Sequence, residues 1–241
     1  MTSADFVNLL HLSSVQLNLL DDGQIPVKFA SGCLIDYSGK RLLLTVAHAT
    51  RKQGNWAIHV RYVPGVGTQN QPLGSMHFLS RASLTDPTLR EVDFSYVEVP
   101  ESVRPYRQEI ASKDIVTSEV PIAVHRTNLD AKPHSAATYG FCGMVSATLE
   151  RHFGELYVGG DIKIYRGLSY SRTEDDYYVF TLPFPHPGHK HFEGCSGAPI
   201  LSDSGEIVGL VCKGVEERDE IWAISVSAYK VALDILVGWC D

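Results

Sequence analysis

From about residue 25 to residue 226 the chain is a succession of short apolar or alternating runs, each cut off by turn-forming residues. Residues 26–35 read as a strand with a glycine break, and Asp36-Tyr37-Ser38-Gly39-Lys40 reads as a turn. Residues 41–46 return beside the first run, which makes a hairpin. Residues 56–63 and 93–99 alternate and complete a first half. In the second half, residues 122–125, 137–144, 156–158, 177–182, 199–201 and 207–212 are strand candidates, with Asp203-Ser204-Gly205-Glu206 as a turn. Only residues 227–239 change period. There Ala228, Val231, Ala232, Ile235, Leu236 and Trp239 share one helical face. Periodicity of this kind predicts an all-β protein closed by one C-terminal amphipathic helix.

Size and charge narrow the class further. At 241 residues with 44% hydrophobic side chains, the chain suits one domain with a substantial core. No stretch approaches the roughly 18 apolar residues of a membrane span. Met1 to Leu12 lacks a basic start and a long apolar centre, so it does not read as a secretory leader. A formal charge of −7 argues against nucleic acid as the partner. The five cysteines, Cys33, Cys142, Cys195, Cys212 and Cys240, form no C-x-x-C pair and lie mostly in apolar runs. Buried, reduced thiols and a cytoplasmic setting are expected.

Chemistry concentrates in three places. Gly194-Cys195-Ser196-Gly197-Ala198-Pro199 wraps a serine in a glycine-rich turn, lifting the hydroxyl off the chain and turning backbone N–H groups outward. Leu42-Leu43-Leu44-Thr45-Val46-Ala47-His48-Ala49 is a buried-strand run ending in a histidine with small neighbours. Glu91-Val92-Asp93-Phe94-Ser95-Tyr96-Val97-Glu98-Val99 opens on acids and continues as a strand. A serine hydroxyl is a poor nucleophile without a base, and a base needs an orienting carboxylate. Asp93 is preferred over Asp86 as that carboxylate, because Asp86-Pro87 reads as a turn with no strand behind it.

In the order His, Asp, Ser, these segments resemble the chymotrypsin-like (trypsin-fold) serine peptidases, whose motifs read T-A-A-H, D-I-A-L and G-D-S-G-G-P. The resemblance runs from about residue 25 to the end. It implies two six-stranded antiparallel β-barrels and a final helix: a first barrel over about 13–100, a connection over about 101–120 and a second barrel over about 121–226. It implies His48 as base, Asp93 as its orienting acid, Ser196 as nucleophile, and the N–H groups of Gly194 and Ser196 as oxyanion donors. It also places Lys190 at the floor of a specificity pocket, and Cys212, Lys213 and Gly214 along a wall that pairs with substrate. A lysine at that floor would favour an acidic substrate side chain or point to solvent, whereas nearby Glu216, Glu217, Asp219 and Glu220 would favour a basic one, so the specificity stays open.

Two departures from the family pattern matter. Secreted members commonly bridge a cysteine just after the histidine motif, where this chain has Ala49-Thr50. Cys195 stands where they carry an acid that pairs with a new N-terminus after zymogen cleavage. Intracellular and HtrA-like branches need no such cleavage, so the loop around Ser196 is expected to be ordered intrinsically, by substrate or by an activating partner protein. Cys195 is also a rival nucleophile, one position out of register. His186-Pro187-Gly188-His189-Lys190-His191 invites a metal reading but lacks a recognised ligand spacing, so neither metal nor cofactor is expected. Two functions remain open here: an endopeptidase acting on a protein or peptide substrate, and a binding or scaffold module of the same fold.

Overall fold

The computed structural model describes residues 1–51, 54–82, 88–112, 115–152 and 155–238. The chain opens with helix α1 (Ser3–Ser13), set off by a capping box in which Thr2 Oγ1 accepts from the Asp5 N–H and the Asp5 carboxylate accepts from the Thr2 N–H. The Thr2-x-x-Asp5 spacing carried this helix, which strand periodicity alone does not show.

Seven strands follow in the first half: β1 (Val15–Leu20), β2 (Pro26–Tyr37), β3 (Lys40–Thr45), β4 (Asn55–Val63), β5 (Gly67–Pro72), β6 (His77–Arg81) and β7 (Arg90–Glu98), with the one-turn helix α2 (Ala47–Thr50) between β3 and β4. The β2–β3 hairpin turns at Ser38 and Gly39, whose φ values of 47° and 82° are those of a type I′ turn matched to strand twist. The seven strands run in the order β5-β4-β1-β2-β3-β7-β6. Among the described residues this path does not close, so the first half differs from the six-stranded barrel expected.

The segment read as a plain connection contains a hairpin of its own, β8 (Tyr106–Ser112) and β9 (Ile115–Pro121). Much of it faces solvent, which is why its sequence lacks apolar periodicity. Arg107 in β8 donates to the carbonyls of His11 and Ser14, at 3.2 and 2.9 Å, and so caps the C-terminal end of α1 with positive charge. A short strand β10 (Val124–Arg126) then joins β2 in parallel.

The second half is a closed six-stranded barrel of β11 (Thr138–His152), β12 (Glu155–Glu174), β13 (Tyr177–Thr181), β14 (Pro199–Ser202), β15 (Ile207–Val215) and β16 (Glu220–Ser225), ordered β11-β12-β13-β16-β15-β14. Its core holds Tyr139, Phe141, Leu168, Phe180, Ile200 and Ile221. Helix α1 lies on β11, where Gly140 leaves room for Leu10; a Cβ there would sit 2.6 Å from Leu10 Cδ1.

The chain ends in helix α3 (Lys230–Gly238) after a 3₁₀ turn. Its inward face is not the one periodicity predicts. Tyr229 and Leu233 are buried, with Tyr229 stacked on Phe94 at 5.3 Å, whereas Val231 and Ile235 are 67% and 49% exposed. Tyr229, Leu233 and Leu236 form an equally good helical stripe, and the aromatic anchor decides between the two. Trp239 and Cys240 lie outside the described residues.

Candidate active site

The candidate base stands where strand β3 ends. Leu42, Leu43 and Leu44 are buried, and Val46 carries the chain into α2, where Ala47 and Ala49 tuck under while His48 points outward. Strand β7 pairs with β3 and alternates, burying Val92 and Phe94 and turning Asp93 toward His48. His48 Nδ1 lies 2.8 and 3.0 Å from the two oxygens of Asp93, and the His48 backbone N–H donates to the same carboxylate at 2.9 Å. Burial pushes the Asp93 carboxyl up, but these bonds from His48, joined by one from the Cys212 thiol, outweigh it and hold the group below the usual carboxylate range. An ionised Asp93 puts the imidazole proton on Nδ1 and leaves Nε2 as an acceptor.

Ser196 faces that acceptor, with Oγ 3.1 Å from His48 Nε2. Two consecutive tight turns place it. The first runs from Phe192 to Cys195 and closes with the Cys195 N–H on the Phe192 carbonyl at 3.0 Å. The second runs from Cys195 to Ala198 and closes at 2.9 Å. The third position of each is a glycine of positive φ, 95° at Gly194 and 91° at Gly197, the backbone a type II turn demands. Neither glycine tolerates a side chain: a Cβ would lie 2.4 Å from the Met144 carbonyl at Gly194 and 2.1 Å from the Ser31 carbonyl at Gly197. Among the described residues, the N–H groups of Gly194 and Ser196 donate to no protein acceptor. They are free to bind an oxyanion.

The site lies between two cavities. One, of about 730 Å³, is bounded by Tyr177, Phe192, Val211, Cys212, Lys213 and Gly214 beside His48, Asp93 and Ser196. The other, of about 370 Å³, is bounded by Val27, Phe29, Ala49 and Ala147 on the far side of Ser196. Both are lined in part by His48, Glu193 and Ser196, so they meet as one groove at the serine.

No protein-family model matches the sequence, and comparison with curated proteins finds no match. Solved structures do match. A serine endoprotease from Yersinia pestis superposes with a TM-score of 0.58 at 12% identity, covering 98% of this chain and 67% of its own. Neuropsin, a serine protease expressed in the limbic system of mouse brain, gives 0.56 at 12% identity over 94% of this chain and 96% of its own. Human heparin binding protein gives 0.55 at 12% identity, covering 93% of this chain and 90% of its own. The chain has the chymotrypsin-like fold. Neighbours of that fold include a protein named for binding heparin, so activity rests on the site.

Within this chymotrypsin-like frame the other sequence-predicted positions sort themselves. Cys212, Lys213 and Gly214 lie on β15 along the groove. The Cys212 side chain turns inward, where its thiol donates to the Leu210 carbonyl at 3.4 Å and lies close enough to Asp93 for the two groups to influence each other. The Lys213 ammonium sits 4.3 Å above the Trp222 ring. Lys190 belongs to the 3₁₀ turn His189–Phe192, and its side chain lies outside what the structure describes, as does Asp86 entirely.

The acidic cluster does not line the groove. Glu220 is paired with Arg172, and Asp219 accepts from the His186 N–H at 2.6 Å. His186 and His191 pack edge-on against Phe192, and the described residues contain no group of three or more metal-ligating side chains. Cys195 is buried against Gly143, and burial pushes its thiol up to about 12, so it is neither exposed nor ionised as a nucleophile must be. Sequence reasoning passed over Tyr177, Phe192 and Val211 as groove lining, because each reads as ordinary core.

Proposed function

We propose that this chain is a serine endopeptidase acting on an extended segment of a protein substrate. The observation that carries the reading is the continuous path from Asp93 through His48 to Ser196 beside two unpaired backbone N–H groups. Ser196 Oγ attacks the scissile carbonyl carbon as its proton passes to His48 Nε2. The carbonyl oxygen becomes an oxyanion held by the Gly194 and Ser196 N–H groups. Asp93 stabilises the imidazolium. The tetrahedral intermediate collapses as His48 returns the proton to the leaving amine nitrogen, which departs and leaves an ester on Ser196. A water then loses its proton to His48, attacks the ester carbon and releases the acid product and the serine.

This reading includes activity without N-terminal cleavage, since a neutral Cys195 thiol offers a freed amino group no charge to pair with. We place the protein in the cytoplasm, a setting that four free buried thiols at Cys33, Cys142, Cys195 and Cys212 support. Labelling with a fluorophosphonate probe tests the enzyme. Wild type is expected to label and Ser196→Ala to lose labelling together with about 10⁶-fold of kcat. Absence of serine-dependent labelling would leave the binding-module function standing instead.

A further inference from the structure

Lacking the acid that locks this turn in secreted members, the chain must hold the turns around Ser196 by other means. Ser31, in the middle of β2, meets them across the boundary between the two halves of the molecule. Its N–H donates to the Ser196 carbonyl at 2.9 Å, and its own carbonyl accepts from Thr45 Oγ1 at 2.7 Å. Both backbone groups of this buried residue are thus occupied, and its hydroxyl is spare. That hydroxyl donates to the Gly194 carbonyl at 2.7 Å, a bond between residues 163 positions apart.

We infer that the Ser31 hydroxyl is the lock of the oxyanion loop, a positioning residue that sets the direction of the Gly194 N–H. The inference rests on the peptidase reading and names what orders that same site. The Gly194 carbonyl and the Cys195 N–H belong to one rigid peptide plane. Ser31 holds that plane at its oxygen, and the Phe192 carbonyl holds it at its nitrogen. Behind it the Gly194 Cα abuts the Met144 carbonyl of β11, where not even a methyl group fits. The Gly194 N–H is carried on the Cα at the edge of that plane, so a plane held at both its oxygen and its nitrogen keeps the type II turn closed and the N–H turned toward the space beside Ser196 Oγ. Without the hydroxyl the Gly194 carbonyl has no partner, the plane is held at its nitrogen alone, and the turn loosens, so that the N–H no longer keeps one direction. The lock comes from the first half of the chain, so no partner protein is needed to form the hole.

Ser31→Ala removes the hydroxyl alone and keeps the strand. The expected result is a kcat lower by about 10²-fold, the scale of one lost oxyanion donor, with KM for a peptide substrate little changed. Affinity for a peptide aldehyde, whose adduct places an oxyanion in the hole, is expected to fall in parallel with kcat. Amide hydrogen exchange provides a readout that needs no turnover: at Cys195 and Ala198, the two turn-closing amides, exchange should quicken at least tenfold, with the β15 and β16 amides unmoved. Unchanged exchange at Cys195 and Ala198, or an undiminished kcat, overturns the lock. A wild type that fails to label at Ser196 overturns the peptidase reading instead, and the exchange rates still decide what Ser31 does.

Discussion

The two halves of this molecule position their parts of the site by different physics. The first half offers His48 and Asp93 from an apolar strand layer in which Leu42, Leu43, Leu44 and Phe94 are buried side by side. Their placement follows from side-chain packing and strand alternation. The second half offers Ser196 from turns whose backbone touches other backbone, with Gly194 against the Met144 carbonyl and Gly197 against the Ser31 carbonyl. Packed side chains relax around a small change, whereas backbone in contact with backbone has nothing to give. Damage to the first half should therefore cost stability before geometry, and damage to the second should cost geometry first.

After the loss of Ser196 itself, the largest expected effect concerns the identity of a side chain in the first half. Asp93→Asn keeps the shape of the carboxyl but offers His48 Nδ1 an amide, which can favour the wrong tautomer. The expected loss is about 10⁴-fold in kcat with the fold intact, read from steady-state kinetics on a peptide. A loss of less than tenfold would mean that Asp93 does not orient the base.

A paired substitution sharpens the contrast. In Gly197→Ala the new Cβ falls 2.1 Å from the Ser31 carbonyl and 2.3 Å from Thr45 Oγ1, at a φ of 91°. It should lower kcat by about 10² to 10³-fold through displaced oxyanion donors. In Leu43→Ala a buried side chain is deleted from β3, five residues before His48, at a cost of about 2–5 kcal/mol in urea unfolding, with kcat of the folded fraction nearly unchanged. If Leu43→Ala instead abolished turnover while remaining folded, the division of labour between the halves would be wrong.

The same division explains what could be read from the sequence. His48, Asp93 and Ser196 were legible because each is a reactive side chain at a strand end or in a glycine turn, and local pattern reports such places. The strands of the second barrel were legible from alternation and turns, whereas its closure was only what the family resemblance implied. Ser31 was not, because it works through a carbonyl 163 positions away and its own strand gives no sign of the partner. The face of α3 was misread because two apolar stripes share the helix, and only the Tyr229–Phe94 stack chooses between them. Whether the outer strands of the first half meet was equally hidden, because alternation identifies strands but does not say whether the last one returns to the first; among the described residues β5 and β6 do not pair.

The smallest expected effect lies where the two halves meet, at Cys212 of β15 behind Asp93 of β7. Its thiol is buried and lies against a carboxylate that the surrounding bonds hold below the usual range. A carboxyl with a depressed folded-state value stabilises the fold above its unfolded value, about pH 4, and loses that contribution as pH falls through the folded value. Cys212→Ala removes one donor and moves the folded value back up. It should therefore cost about 1 kcal/mol more at neutral pH than at about pH 3, on top of a packing cost that does not change with pH. Urea unfolding of wild type and variant at the two pH values measures the difference. A gap of equal size at both would show that Cys212 only fills space behind the acid, and that Asp93 owes its charge to the first half alone.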